Sequence, residues 1–206
     1  MLQLYFSPGA CSFVPHVALE AAGTEFEPKL VKLHRGEHRT PEYLALNPNA
    51  QVPVLVVDGK PLSQIVAICD FLDRRFPQAG LLPADAWERS QALSRLAWMN
   101  STPHTAMTRF FFPERFAETE DAQKEVKQRA ARDFRGHLER LQQTLAQKSN
   151  PCHDAYAFTL LRWGGFAGID PNALATYKRH VEGAMQAQPF KAALARERIA
   201  LDTYKG

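Results

Sequence analysis

The chain has 206 residues, 45% of them apolar, and carries 25 basic and 22 acidic residues for a net charge of +3. It can therefore bury a core, and because its charges are interspersed it lacks the footprint of a nucleic-acid-binding or polybasic membrane protein. No stretch approaches the roughly 20 apolar residues of a membrane-spanning helix, and the first residues do not resemble a signal peptide.

The three cysteines, at Cys11, Cys69 and Cys152, are too few and too irregularly spaced for a disulfide framework or a zinc site. We expect reduced thiols and no bound metal. The sequence thus predicts a cytoplasmic protein whose partner is a small molecule.

The first 77 residues alternate short apolar runs with helical periodicity, which predicts a small α/β unit. Strands are predicted in LQLYF, FEPKLVKL and VPVLVV, and a helix from about Ser12 to Ala22. Asp58-Gly59 predicts the turn of an antiparallel hairpin, because both positions tolerate positive φ. A further helix is predicted from the spacing of Ile65, Ile68, Cys69 and Leu72, ending at Phe76-Pro77.

After residue 77 the sequence favours helices only. Residues 78–86, in the segment PQAGLLPADA, are predicted to be a linker, and residues 87–206 an all-α domain. From Val126, apolar residues recur every three or four positions, which predicts a helix of about 25 residues in a bundle. Asp170-Pro171 predicts another helix start, because Asp caps the first turn and Pro lacks an N–H that would have no partner there.

A cysteine opens the first predicted helix, in LYFSPGACS. Cys11 and Ser12 are expected at its N-terminus, where unpaired N–H groups and the helix dipole favour a thiolate and lower the thiol pKa. A dithiol redox motif would have its second cysteine at Val14, so an intramolecular disulfide cycle is excluded. The alternative is that Cys11 is a small buried residue at the strand–helix corner.

Two further segments are candidate contact sites for a ligand. In NPNAQVPVL, a cis Val52-Pro53 bond would turn the backbone N–H and C=O of Val52 outward to pair with a bound peptide. A trans proline at the start of an edge strand is the alternative. In PLSQIVAI, Gln64 and Ile65 lie where a strand gives way to a helix, so the N–H of Ile65 is expected to face solvent or an anion. An ordinary helix start would have the same pattern.

In this order and spacing, four segments resemble the glutathione S-transferase family, most closely its bacterial beta-like members: SPGACS, NPNAQVPVL, SQIVAI and DAYAFTLLRW. The resemblance covers nearly the whole chain. It implies a thioredoxin-like α/β N-terminal domain that binds glutathione, an all-α helical-bundle C-terminal domain that binds a hydrophobic electrophile, and a homodimer active in detoxification. The implied reaction is attack of the glutathione thiolate on the electrophile, or glutathione-dependent thiol exchange.

The resemblance also implies roles for individual residues. Cys11 matches the cysteine that contacts the glutathione sulfur and can form a mixed disulfide, with Ser12 beside it. His104 resembles the histidine that faces the active-site cleft from the first long helix of the second domain. The implied glutathione-binding positions are Phe6, Arg35 (or His34, near the glycyl carboxylate), Val52 (backbone to the cysteinyl moiety), Pro53 (the cis-proline), Gln64 (γ-glutamyl group) and Ile65.

Three positions depart from the family pattern. Phe6 replaces a tyrosine whose hydroxyl can donate to the thiolate, and Tyr5 cannot substitute, because adjacent strand residues face opposite sides. Ile65 replaces Ser, Thr or Gly, and a lost hydrogen bond to a carboxylate is worth about 1.5–3 kcal/mol. Pro151 replaces a capping Ser or Thr, an apolar-glycine turn is missing, and either Ser149 or Asn150 is expected to cap the helix instead.

Two functions follow from these matches and departures. The first is a glutathione-dependent enzyme that uses Cys11. The second is a catalytically weak homologue that binds a ligand or another protein, which Phe6 and Ile65 favour. Apolar residues predicted on the same long helix as His104 either line an electrophile site or fill core and dimer contacts: Trp98, Met107, Phe110, Phe111 and Phe112.

Overall fold

The computed structural model describes residues 1–145 and 150–202. Its first part contains four strands and three helices, which in chain order are β1 (Leu2–Phe6), α1 (Phe13–Ala22), β2 (Glu27–Leu30), α2 (Pro41–Leu46), β3 (Val54–Val57), β4 (Lys60–Ser63) and α3 (Ile65–Arg75). Six helices follow within the described residues: α4 (Ala86–Ser101), α5 (Pro103–Phe111), α6 (Glu120–Thr144), α7 (Pro151–Phe166), α8 (Ala175–Ala184) and α9 (Gln188–Glu197).

The four strands form one mixed sheet in the order β2-β1-β3-β4. β1 runs parallel to β2 and antiparallel to β3, and β3 and β4 form the predicted hairpin. Its turn residues have positive φ, 49° at Asp58 and 82° at Gly59, as the sequence required. The thioredoxin-like α/β part followed by an all-α part confirms the predicted fold class.

The two faces of β1 serve different cores. Leu2, Leu4 and Phe6 are buried in the larger core, with residues of α1 and α3. Tyr5 points to the other face, where its ring contacts Tyr43 of α2 with the centroids 5.9 Å apart. This alternation confirms that Tyr5 does not lie on the same side of the strand as Phe6.

The larger core continues without a break into the helical part. Phe13 of α1 packs against Phe158 of α7 and Phe190 of α9, with ring centroids 4.9 and 5.3 Å away. The predicted linker also joins this core, because Leu81 and Leu82 are buried and the backbone N–H of Leu82 donates to the Asp73 carboxylate. The domain boundaries at residues 77 and 87 stay predictions.

Two helix starts differ from the sequence analysis. α6 begins at Glu120, six positions before Val126, because the Thr119 side chain accepts a hydrogen bond from the N–H of Ala122 and acidic residues occupy the first turn. Apolar periodicity misses that first turn because the turn is polar. Asp170 does accept from the N–H of Asn172, but the turn that follows is a 3₁₀ helix, and α8 begins at Ala175.

At the start of α7, Asn150 is the cap. Its Oδ1 accepts from the N–H of His153 at 3.1 Å, and its Nδ2 donates to Nδ1 of the same imidazole at 2.9 Å. Ser149, the other predicted cap, lies outside the described residues. No helix in the described part of the chain is long and apolar enough to cross a membrane.

Candidate active site

A cleft of about 900 Å³ lies between the loops at one end of the sheet and the helices α4, α5 and α7. Its lining includes six of the predicted site residues: Cys11, Val52, Pro53, Gln64, Ile65 and His104. They come from the loop after β1, the loop before β3, the start of α3 and the start of α5. The fold therefore brings together residues that are up to 93 positions apart in the sequence.

The loop that carries Cys11 is fixed by the C-terminal helices. Gly9 has φ +69°, a conformation that favours glycine, and a Cβ there would lie 2.6 Å from the Arg162 guanidinium and displace the end of that side chain. The N–H of Gly9 donates to Glu197 Oε2 at 2.9 Å, and its carbonyl accepts from the Trp163 indole at 2.9 Å. The other oxygen of the buried Glu197 carboxylate pairs with Nδ1 of His16 at 2.8 Å.

The thiol of Cys11 faces the cleft but is only 8% exposed. It donates to the carbonyl oxygen of Val52 at 3.5 Å. Burial, with a further contribution from the charge of Glu197, raises the pKa of Cys11 to about 12, although the backbone N–H groups of Cys11 and Ser12 act in the opposite direction. The expectation of a lowered thiol pKa at the helix N-terminus was wrong, because the cost of desolvation exceeds the effect of the helix end.

Two predicted residues, Ser12 and Phe6, lie behind the cleft wall. Ser12 is fully buried, and its hydroxyl both donates to the carbonyl of Ser7 at 3.2 Å and accepts from its N–H at 3.1 Å. Phe6 packs its ring against His16. Both side chains support the loop, and neither is among the cleft-lining residues.

His104 is held in one tautomer by two polar neighbours. The Tyr156 hydroxyl donates to Asn100 Oδ1 at 3.0 Å, so it accepts from Nδ1–H of His104, 2.7 Å away. This hydrogen-bond network assigns the proton to Nδ1 and leaves the lone pair on Nε2. Burial lowers the pKa of His104 to about 4, so the imidazole is neutral at pH 7.

The two other predicted contact segments, at Val52-Pro53 and Gln64-Ile65, have unusual backbone conformations. The Val52-Pro53 peptide bond is cis. Gln64 has φ 75°, an unusual conformation for a non-glycine residue, and is followed by the uncapped N-terminus of α3. The Ile65 side chain is 1% exposed in the core, so only its backbone can offer a polar contact.

The other predicted residues divide between the cleft and the rest of the molecule. His34 lines the cleft, whereas Arg35 is exposed and is not among the lining residues. Phe111 and Phe112 line the cleft, whereas Met107 is fully buried in the core. Trp98 and Phe110 pack against that core, as their alternative interpretation predicted. The prediction of one long helix for these residues and His104 was wrong, because α4 ends at Ser101 and α5 begins at Pro103.

Sequence reasoning missed the residues that support this cleft from a distance. Glu197 and His16 gave no local signal, because their partners lie far away along the chain. Tyr156 and Trp163 lie within the DAYAFTLLRW segment and are seven positions apart, which places them on one face of α7 and was a usable signal. Among residues 1–145 and 150–202, no three His, Cys, Asp or Glu side chains lie together as a metal site would require.

Comparison with known proteins agrees with this fold and cleft. Residues 1–74 match the family model of the glutathione S-transferase N-terminal domain. The chain is 32% identical to glutathione S-transferase GST-4.5 of Xanthomonas campestris pv. campestris, with 95% of this chain and 98% of that one covered. It is 30% identical to glutathione S-transferase GstA of Escherichia coli O157:H7, with 90% and 91% covered.

A solved sphingomonad glutathione S-transferase, complexed with glutathione, superposes with a TM-score of 0.82 at 32% identity, with 96% of this chain and all of that one (100%) covered. The fold and cleft define a thioredoxin-like protein with a helical second part, and the chain belongs to the glutathione S-transferase family. The predicted enzyme class, a glutathione transferase, is confirmed, and none of these relatives favours a protein that only binds.

Proposed function

We propose that the cleft binds glutathione and activates its thiol for attack on a hydrophobic electrophile. The observation that carries the proposal is the convergence of Cys11, Val52-Pro53, Gln64 and His104 on one cleft. The sphingomonad relative, which is complexed with glutathione, supports it.

In the proposed complex, glutathione extends across the edge formed by the cis-proline loop. Its γ-glutamyl carboxylate meets the N-terminus of α3 at Gln64 and Ile65, where unpaired N–H groups favour an anion. Its cysteinyl backbone pairs with the N–H and C=O of Val52 as an added strand. The carbonyl of Val52 now accepts the Cys11 thiol, so glutathione shares or takes this acceptor.

In the proposed chemistry, His104 receives the thiol proton of glutathione on Nε2. The thiolate that forms is an opposite charge beside the imidazolium and raises its pKa, so the charged pair is more stable than the pKa of the empty site indicates. The Cys11 S–H, neutral because its pKa is about 12, donates to the thiolate sulfur. The thiolate then forms the C–S bond, and the leaving group departs with its bonding electrons.

Conjugation fits these groups better than thiol exchange by Cys11. Exchange requires a cysteine thiolate as nucleophile, and burial of Cys11 opposes its ionisation.

Part of the proposal is that the enzyme acts in detoxification as a cytoplasmic homodimer. The three free, buried cysteines are consistent with a reducing compartment.

Isothermal titration with glutathione, run beside a turnover assay with a chromogenic aryl halide, tests the proposal. We expect saturable binding and turnover of the halide. The absence of binding at millimolar glutathione would contradict the proposal.

Ile65→Ser is expected to tighten glutathione binding by restoring the hydroxyl of the family pattern, and an unchanged affinity would contradict that role.

A further inference from the structure

The lining of the cleft is strongly asymmetric in charge. Among the residues that the structure describes, it contains no Asp or Glu. Its basic residues are three arginines, Arg39, Arg115 and Arg162, and three histidines, His34, His38 and His104, of which His104 is neutral at pH 7. A cleft with this lining attracts anions.

Two of these arginines, Arg39 and Arg115, line the cleft from different parts of the fold. Arg39 belongs to the 3₁₀ turn before α2, and Arg115 to the 3₁₀ turn after α5. His38 also lines the cleft, and its pKa is lowered first by burial and then by the positive charges of Arg39 and Arg115. Both arginines are exposed, and no carboxylate in the described part of the chain forms an ion pair with either.

An aromatic wall lies beside these charges. The Arg115 guanidinium lies 4.1 Å from the centroid of the Phe112 ring. Phe111 contacts the rings of Phe112, Trp163 and Phe166 edge to face, with centroids 5.6–6.4 Å apart. Phe111, Phe112 and Phe166 are 36%, 41% and 43% exposed, so the wall is open to a ligand.

We propose that the second substrate is an aromatic electrophile that carries a carboxylate. Its ring packs on the Phe111–Phe112–Phe166 wall, and its carboxylate pairs with Arg115 and Arg39. A guanidinium fork matches a carboxylate, and the missing counter-charge would come from the substrate. This inference rests on the proposed function, because it names the substrate class of the same cleft.

A matched pair of probes isolates the charge. 4-Chloro-3,5-dinitrobenzoate and its methyl ester place the same reacting carbon on the same ring, and only the acid is anionic. With either, the glutathione sulfur forms a bond to the ring carbon and chloride leaves with the bonding electrons, while the thiol proton passes to His104 Nε2 and from there to solvent. Each kcat/KM is divided by the uncatalysed rate constant of the same probe, which removes their intrinsic difference in reactivity.

The variants are Arg115→Gln and, as a matched control on the same segment, Arg109→Gln. Arg109 lies over the Phe116 ring and does not line the cleft. We expect Arg115→Gln to lower the normalised acid-to-ester ratio about tenfold and Arg109→Gln to change it less than about twofold. The KM for glutathione is expected to stay unchanged. In the wild type the ratio should fall as salt rises, because the Debye length shortens from about 10 Å at 0.1 M to about 3 Å at 1 M.

Other outcomes overturn the proposal. Equal loss on both probes would mean that Arg115 only supports the fold, and a raised KM for glutathione with an unchanged ratio would mean that it holds glutathione. If neither probe turns over in the wild type, the proposed function fails separately. Titration with the two glutathione conjugates of these probes then decides: tighter binding of the acid conjugate, lost in Arg115→Gln, supports the substrate class, and equal binding overturns it.

Discussion

The protonation of two side chains, Cys11 and His104, determines what the cleft can do. Both are perturbed by burial, in the direction that removes their charge: the pKa of the thiol is raised to about 12 and that of the imidazole is lowered to about 4. At pH 7 the empty cleft therefore holds a neutral donor and a neutral acceptor. This pair suits the activation of an incoming thiol better than attack by Cys11 itself.

Alkylation tests the state of Cys11. A rise from 9.0 to about 12 lowers its thiolate fraction at pH 7.5 about 1,000-fold relative to an ordinary cysteine. We expect iodoacetamide to modify Cys11 at least about 100-fold more slowly than it modifies a free cysteine in a peptide. Peptide mass spectrometry after timed quenching gives the rate, with the protein in denaturant as control. Reaction at the rate of the free peptide would contradict the raised pKa.

Substitution of His104 tests its role as proton acceptor. His104→Asn keeps an N–H donor toward Tyr156 but lacks the Nε2 lone pair, so kcat/KM for an aryl halide is expected to fall about 100-fold with little loss of stability. Tyr156→Phe is the comparison, because Tyr156 positions the imidazole; we expect a fall of about tenfold. Full activity of His104→Asn would mean that water or another group, and not His104, accepts the thiol proton of glutathione.

At the scale of elements, the start of α7 depends on one pair of side chains. Asn150 satisfies the N–H of His153 and also donates to its ring, while His153 Nε2 pairs with the carbonyl of Ala92 in α4 at 2.8 Å. The cap of one helix is thereby tied to another helix. The family's Ser or Thr cap is replaced here by a pair that performs the same task with different groups.

Removal of this cap has a measurable cost. Asn150→Ala is expected to lower the free energy of unfolding by about 2 kcal/mol, because it removes the cap and leaves the buried Nδ1 of His153 without a donor. Asn150→Asp keeps the acceptor and is expected to cost about half as much. Urea titration of the three proteins gives the values, and a loss below about 0.5 kcal/mol in Asn150→Ala would show that α7 does not need this cap.

Features that depend on residues close together in the sequence were predicted better than features that depend on distant residues. The β3–β4 hairpin was predictable because Asp58-Gly59 encodes its own turn, and the Asn150 cap because capping is local. The start of α6 was missed because its first turn is polar. The predicted direction of the Cys11 pKa shift was wrong because burial of the thiol arises from tertiary packing, which no local pattern reports.

At the scale of the whole molecule, Glu197 connects the last described helix to the first loop. Its carboxylate is fully buried and accepts from Gly9 and pairs with His16. These partners lie 188 and 181 positions away in the sequence, so the site residues were predictable from motifs while the group that fixes their loop was not.

Truncation of Glu197 is expected to affect stability and site together. Glu197→Ala leaves the N–H of Gly9 and the ring of His16 buried without their acceptor, at a cost of about 3 kcal/mol. Loosening of the loop should also speed the alkylation of Cys11. Glu182→Ala, at an exposed position of α8, is the control and should change neither. If Glu197→Ala lowers the stability but leaves the alkylation rate of Cys11 unchanged, Glu197 stabilises the fold without fixing the loop.

The tie between Gly9 and Glu197 also has a consequence for biosynthesis. The loop with Cys11 leaves the ribosome before its anchor, which follows 188 residues later. At about 5–20 residues per second, the nascent sheet waits roughly 10–40 s for that anchor. During this interval the loop lacks its anchor, so a newly made chain exposes to cellular oxidants a thiol that the finished protein buries.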